Sequence, residues 1–144
     1  MAYKTRFYPK NASKYIGDPN KIVCRSLWER KFCKYLDENK NILRWSFENI
    51  KVPYVSPLDK LMHQYIPEFL VEKQNKDGSV STLMVEIKPE KQTKKPVLTE
   101  NVSKRTYSKN LQMYLVNQAK WDAAKQFCSQ NNIDFIVLTE KEIL

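Results

Sequence analysis

A strong turn signal between two runs of strand-forming residues limits the folds open to this chain. Residues 75–78 (NKDG) end in Asp-Gly, a dipeptide that favours the positive backbone angles of tight hairpin turns. Residues 64–71 (QYIPEFLV) precede this turn and residues 81–88 (STLMVEIK) follow it, and both runs are rich in apolar residues. We therefore predict an antiparallel hairpin formed by these two strands.

Helical patterns lie on both sides of this hairpin in the sequence. Residues 26–38 predict a helix that begins at Ser26 as its N-cap and carries an apolar face. Residues 108–131 predict a long helix. Its expected buried stripe consists of Leu111, Tyr114, Leu115, Ala119, Ala123, Phe127 and Cys128. Thr139 is a plausible cap for a short final helix.

Three further runs complete the expected sheet. Residues 42–47 and 51–55 are short and apolar-rich, and they could pair with each other as strands. Residues 133–138 (IDFIVL) are almost continuously apolar, which is typical of a strand buried on both faces. The order of elements predicts an α/β fold, with a mixed β-sheet and a helix on each side.

Charge and length narrow the class of protein. The 144 residues suit one domain, and the formal net charge of +9 favours a polyanionic partner such as nucleic acid. No apolar run is long enough to span a membrane, and the polar, basic start is not a secretory signal, so we expect a cytoplasmic protein without a membrane partner. Residues 1–22 predict an extended basic arm, which is either disordered or laid on a partner, and residues 23–144 form the expected domain.

Cysteine and histidine usage gives little support for a zinc site. The three cysteines are Cys24, Cys33 and Cys128, no C-x-x-C motif occurs, and His63 is the only histidine. A zinc site would have to be assembled from scattered single residues. We therefore expect ordinary buried thiols.

Glu86 and Lys88 are the first candidates for chemistry. Positions i and i+2 of a strand share a face, so both side chains project together while Val85 and Ile87 face apolar packing. Hydrolysis of a phosphodiester requires charge neutralisation at the phosphate and an activated water, and Mg²⁺ held by carboxylates supplies both. A lysine beside the water can position or deprotonate it. The alternative for this pair is a salt-bridged surface face.

Glu68 is expected to lie opposite Glu86 across the hairpin. Both residues are about nine positions from Asp77, and like charges opposite each other are destabilising unless a cation lies between them. Pro67 cannot donate a hydrogen bond to a neighbouring strand, so the strand is an edge or is bulged at this point. This arrangement favours a metal site.

Glu29 is the third candidate carboxylate. It falls in a helical series with Phe32, Cys33 and Leu36, so its side chain points toward the sheet, where a lone carboxylate needs a partner. A capping box with Ser26 explains the same glutamate without any site. Both interpretations are kept.

Basic residues follow Lys88 and continue into the long helix. They could form a positive rim for DNA phosphates, and Gln112 could contact the site or the DNA backbone. The alternative is a solvated loop and helix face. The candidates for DNA binding are Lys91, Lys94, Lys95, Lys104, Arg105, Lys109 and Gln112.

These residues resemble a known family. Pro67-Glu68 followed by Glu86-Ile87-Lys88 resembles the PD-(D/E)xK nuclease signature, with Glu29 as the upstream helical glutamate. The segments SLWERKF, YIPEF, VEIKPEKQT and KWDAAK, together with the opening MAYK, PKNASKY and GDP, resemble head completion nucleases of T-even-type tailed phages. TnsA-type endonucleases are similar more distantly. The likeness covers nearly the whole chain.

The resemblance implies a restriction-endonuclease-like core and a metal-dependent endonuclease acting on double-stranded DNA. Glu29, Glu68 and Glu86 would be metal ligands together with the carbonyl of Ile87, Lys88 would be the catalytic lysine, and Mg²⁺ would be the ion, with Mn²⁺ as a substitute. The expected role is processing of packaged DNA ends at phage head completion, with portal or neck proteins as partners, in the infected host cytoplasm or in the virion head or neck. The chain departs from the family at Glu68, where aspartate is usual.

Two other functions remain open from the sequence. One is a noncatalytic DNA-binding structural protein of the virion neck that retains the nuclease fold. The other is a nuclease of another setting, such as transposition or junction resolution. The acidic cluster favours an enzyme over the binding protein, because carboxylates repel a DNA phosphate unless a metal intervenes.

Overall fold

The computed structural model describes residues 4–143 and forms an α/β fold, as predicted. Its strands are β1 (Thr5–Arg6), β2 (Val23–Cys24), β3 (Ile42–Phe47), β4 (Val52–Val55), β5 (Met62–Tyr65), β6 (Phe69–Gln74), β7 (Val80–Ile87) and β8 (Ile133–Leu138). Its helices are α1 (Leu27–Glu38), α2 (Lys104–Gln130) and α3 (Glu140–Ile143). None of these helices is long and apolar enough to cross a membrane.

The central sheet is mixed and has the strand order β3-β6-β7-β8. The predicted hairpin is confirmed: β6 and β7 pair antiparallel from Phe69 opposite Val85 to Gln74 opposite Val80. Gly78 lies in their turn with a φ of 89°, a backbone angle that favours glycine. β8 pairs with β7 in parallel, which makes the sheet mixed.

Two predictions about the other strands were wrong. β3 pairs with β6, and β4 pairs with β5 in a separate two-stranded sheet, so residues 42–47 and 51–55 do not pair with each other. The run 64–71 is also divided, because β5 ends at Tyr65 and β6 begins at Phe69. Pro67 lies in the interruption, where its missing N–H removes a possible ladder hydrogen bond.

The sheet separates two apolar cores, each covered by one helix. On one face, Cys33 and Leu36 of α1 pack in a cluster with sheet residues that include Trp45 and Val85. On the other, Trp121 and Ala124 of α2 pack in a cluster that includes Met84, Val52 and Tyr65. The expected arrangement of a mixed sheet between helices, consistent with a restriction-endonuclease-like core, is therefore confirmed.

The buried stripe of α2 differs from the predicted one. The helix begins at Lys104 with Ser103 as its N-cap, four residues before the expected start. Cys128 of the predicted stripe is buried and Ala119, Ala123 and Phe127 pack against the core, whereas Leu115 is 42% exposed. The buried face also includes Asn117, Trp121 and Ala124, which were not predicted. Apolar residues are spread around this helix, so its sequence does not define the packed face. β8 is an edge strand, which explains why its apolar residues are only partly buried.

The N-terminal segment is packed against the domain from Thr5 onward, although its sequence predicts an extended arm. β1 pairs with β2, and Phe7 is buried. The backbone N–H groups of Lys10 and Asn11 donate to the carboxylate of Asp37 at 2.8 and 3.0 Å. The ammonium of Lys14 donates to carbonyls at the end of α1, which a helix leaves without partners of its own. Residues 1–3 of the predicted arm lie outside the described residues.

Candidate active site

Three elements bring the candidate carboxylates to one end of the central sheet. Glu29 lies in the first turn of α1, Glu68 immediately precedes β6, and Glu86 lies near the end of β7. Phe69 is opposite Val85, so Glu68 and Glu86 are the residues that follow this last pair at the same end of the sheet. Lys88 follows the end of β7, and its backbone N–H donates to the carbonyl of Leu138 at 2.9 Å.

Glu68 is buried and incompletely partnered. It is 9% exposed, and its Oε2 atom has no hydrogen-bond partner. The pKa of Glu68 is raised to about 8, chiefly by burial and also by the nearby carboxylate of Glu29, while Lys88 and the backbone of Ile87 favour the ionised form. A buried carboxylate oxygen without a partner is costly, which a bound cation would relieve.

Glu86 is buried on the α2 face of the sheet. It is 3% exposed, and the hydroxyl of Tyr65 donates a hydrogen bond to its carboxylate. The pKa of Glu86 is raised to about 7, chiefly by burial. The charges of Lys88 and Lys120 oppose this rise, and the carboxylate of Glu29 adds to it. Glu29 and Lys88 therefore act electrostatically on both Glu68 and Glu86.

Glu29 takes part in the predicted capping box and also acts on the other candidate carboxylates. Ser26 is the N-cap of α1, and its Oγ accepts the N–H of Glu29 at 3.0 Å. In return, Oε1 of Glu29 accepts the N–H of Arg25 at 2.7 Å, one residue before the cap. The side chain thus stabilises the start of the helix while its charge acts on Glu68 and Glu86.

Three further side chains at this site were not singled out from the sequence. Tyr65 binds Glu86, Lys120 of α2 favours the ionised form of Glu86, and Glu48 raises the pKa of Glu86. Glu48 has a φ of 51°, and its N–H donates to the carbonyl of Glu68 at 2.7 Å. None of these three residues belongs to a recognisable sequence motif. The pairing of β3 with β6 and the packing of α2 bring them to the site, and neither contact could be predicted from the sequence.

The donor set suits a hard divalent cation. Carboxylate oxygens are the ligands that Mg²⁺ prefers, and the unpartnered Oε2 of Glu68 is available to one. In residues 4–143, no cluster of three or more His, Cys, Asp or Glu side chains already has a metal-binding arrangement.

The candidate DNA-binding residues are all exposed: Lys91, Lys94, Lys95, Lys104, Arg105, Lys109 and Gln112. Lys94 pairs with Glu90 at 3.1 Å. Lys104 and Arg105 occupy the first turn of α2, which has no acidic residue. Cations are unfavourable at a helix N-terminus, so packing and helix stability do not account for these two charges.

Comparisons with known proteins identify the family of this chain. A model of the TnsA-like endonuclease N-terminal family matches residues 39–140, which include Glu68, Glu86 and Lys88. The chain is 36% identical over 143 residues to the head completion nuclease of Enterobacteria phage T4, a match that covers 97% of this chain and 93% of that protein. The chain therefore belongs to the TnsA-like endonuclease family, and it is a nuclease.

Proposed function

We propose that this chain hydrolyses phosphodiester bonds of double-stranded DNA with Mg²⁺, or Mn²⁺ as a substitute, at the site formed by Glu29, Glu68, Glu86 and Lys88. The observation that carries the proposal is the buried, unpartnered Oε2 of Glu68 at the end of the sheet that also holds Glu86. Carboxylates whose pKa burial raises need a compensating cation to stay ionised, and a nuclease needs that cation beside the scissile phosphate.

Each side chain has a distinct role in this proposal. The carboxylates of Glu29, Glu68 and Glu86 and the carbonyl of Ile87 would hold the cation. When bound, the cation supplies charge neutralisation at the phosphate and acidity to a water molecule. Lys88 favours the ionised form of both Glu68 and Glu86, which supports a role for its ammonium in orienting the attacking water.

The exposed basic residues support DNA as the substrate. The segment after Lys88 and the first turns of α2 present Lys91, Lys95, Lys104, Arg105 and Lys109 to solvent. Ammonium and guanidinium groups bind the phosphate backbone without reading its sequence. These residues, with Lys94 and Gln112, would hold the duplex beside the carboxylates.

The relative's name supports a role in head completion. By analogy, the chain would process packaged DNA ends, contact portal or neck proteins, and act in the infected host cytoplasm or in the virion head or neck. A noncatalytic neck protein is not favoured, because both the matching family and the relative are described as nucleases.

A cleavage assay tests the proposal. Supercoiled plasmid is incubated with the protein in Mg²⁺, in Mn²⁺ or in EDTA, and nicked and linear products are quantified. We expect cleavage with either ion and none in EDTA. Lys88→Ala and Glu86→Ala should each lower the rate by at least about 100-fold, since general acid–base groups and electrostatic stabilisers contribute factors of this size.

Glu72→Ala is the matched control for Glu86→Ala. Glu72 lies in the same hairpin, but it pairs with Arg44 away from the site, so its removal should leave the rate unchanged. DNA binding without cleavage in either ion would contradict the proposal and favour the noncatalytic protein.

A further inference from the structure

Lys120 is a half-buried residue whose ammonium lies over two aromatic rings. Its Nζ lies 5.9 Å from the ring centroid of Tyr54 and 5.8 Å from that of Tyr65. Both tyrosines are buried and belong to the two-stranded sheet of β4 and β5, which packs against α2. Ring faces attract a cation without neutralising it, so the ammonium keeps its full charge for another partner.

The environment of Lys120 contains charge but no direct ion pair. Among the described residues, no carboxylate lies within 4.0 Å of its ammonium. Its neighbour Tyr65 donates to Glu86, and both Glu86 and Lys88 act on Lys120 electrostatically. Burial lowers the pKa of Lys120 and the charge of Lys88 lowers it further, whereas the nearby carboxylate of Glu86 raises it.

We propose that Lys120 is a phosphate-binding residue that, together with Lys88, contacts the DNA phosphate placed at the carboxylate cluster. This inference rests on the proposed function and adds a binding residue on α2 that motifs do not mark. A DNA phosphate beside Glu86 would give the ammonium of Lys120 the anionic partner that it lacks among the described residues. Tyr54 and Tyr65 would act as positioning residues that fix the lysine stem and leave the ammonium facing the substrate.

The test measures DNA binding, so it does not depend on cleavage. Binding of a short fluorescent duplex is followed by anisotropy at several salt concentrations, with Ca²⁺ in place of Mg²⁺. Each phosphate contact contributes about 0.9 to the slope of log K against log salt concentration. Lys120→Met should lower this slope by about one contact, while Lys120→Arg should retain it.

Three variants act as controls for folding and for indirect effects. Methionine keeps an apolar stem between the two rings, and thermal unfolding verifies that Lys120→Met folds. Lys125→Met removes an exposed lysine from the same helix and should leave the slope unchanged. Lys120→Arg keeps the positive charge, so a slope that it retains shows that the effect of Lys120→Met comes from the lost charge.

Cleavage kinetics then test whether Lys120 contacts the phosphate that is cleaved. With saturating DNA in Mg²⁺, Lys120→Met should lower kcat by more than tenfold and Lys120→Arg should recover part of it. An unchanged slope in folded Lys120→Met would overturn the proposal even if the wild-type protein cleaves DNA. A loss of kcat that arginine does not rescue, with the slope unchanged, would also overturn it, because Lys120 would then act only through Glu86.

Failure of the wild-type protein to bind or cut DNA would instead refute the proposed function, and this inference with it.

Discussion

At the scale of single residues, the site is a set of charges that the fold holds in an unfavourable state. Glu68 and Glu86 are almost fully buried, and burial is the main cause of their raised pKa values. Lys88 offsets only part of this effect for either carboxyl. Under the proposed function, a bound cation would relieve this unfavourable state.

The pH dependence of stability follows from these pKa values. Glu68 has an ordinary pKa of 4.5 and a folded-state pKa of about 8, so between these pH values the folded protein binds more protons than the unfolded chain. The free energy of unfolding should therefore fall as pH rises through this window. In EDTA, Glu68→Gln should be more stable than the wild type at pH 8, by up to a few kcal/mol, and should show a flatter pH profile.

Urea denaturation at pH 5 and at pH 8 measures this difference. Glu72→Gln serves as the control, because Glu72 is only partly buried and is paired with Arg44. The raised pKa of Glu68 is refuted if the wild type and Glu68→Gln lose stability equally over this range.

At the scale of elements, the start of α1 serves both the helix and the site. Ser26 caps the helix, and Glu29 completes the capping interaction through Arg25. The hairpin of β6 and β7 brings Glu68, just before β6, and Glu86, near the end of β7, to the same end of the sheet. A one-residue slip in the register of that hairpin would turn the side chains of one strand to the opposite face.

Two substitutions separate the capping role from the role in the site. Ser26→Ala should lower the free energy of unfolding by about 1 kcal/mol, since it removes an N-cap oxygen, and should leave kcat unchanged. Glu29→Gln should abolish metal-dependent cleavage while most stability remains, because the amide oxygen can still accept the N–H of Arg25. Chemical denaturation and plasmid cleavage measure the two effects. Normal cleavage by Glu29→Gln would leave capping as the sole role of Glu29.

At the scale of the whole molecule, the N-terminal segment is tied to the domain through one buried carboxylate. Asp37 is 2% exposed and accepts the N–H groups of Lys10 and Asn11. Phe7 adds an edge contact with Trp45, with ring centroids 6.1 Å apart. The segment thereby covers the open side of the core beside α1.

Loss of this carboxylate should loosen the segment. Asp37→Ala leaves two backbone N–H groups without their acceptor, at a cost of about 1–3 kcal/mol for each that stays buried. We expect a clear fall in stability and faster proteolysis within residues 4–22, detected by limited digestion and mass spectrometry. Glu38→Ala is the neighbouring control, since its ion pair with Lys10 is exposed and long at 3.8 Å. Equal effects of the two variants would show that Asp37 does not anchor the segment.

Local patterns alone were enough to predict much of the fold and the core of the candidate site. Asp77-Gly78 fixed the hairpin, and the strand alternation placed Glu86 and Lys88 together. Ser26 predicted the start of α1, and Thr139 caps α3 through Glu142 as expected. Each of these features depends on residues close in sequence, whose backbone preferences and side-chain spacing are independent of the remaining chain.

Only the tertiary structure decided which distant elements meet. It paired β3 with β6 instead of residues 51–55, selected the buried face of α2, and packed the basic N-terminal segment against α1. The same contacts brought Tyr65 and Lys120 to Glu86. Such pairings depend on the total free energy of burying apolar area and satisfying buried polar groups across the whole molecule, and no local sequence pattern encodes that sum.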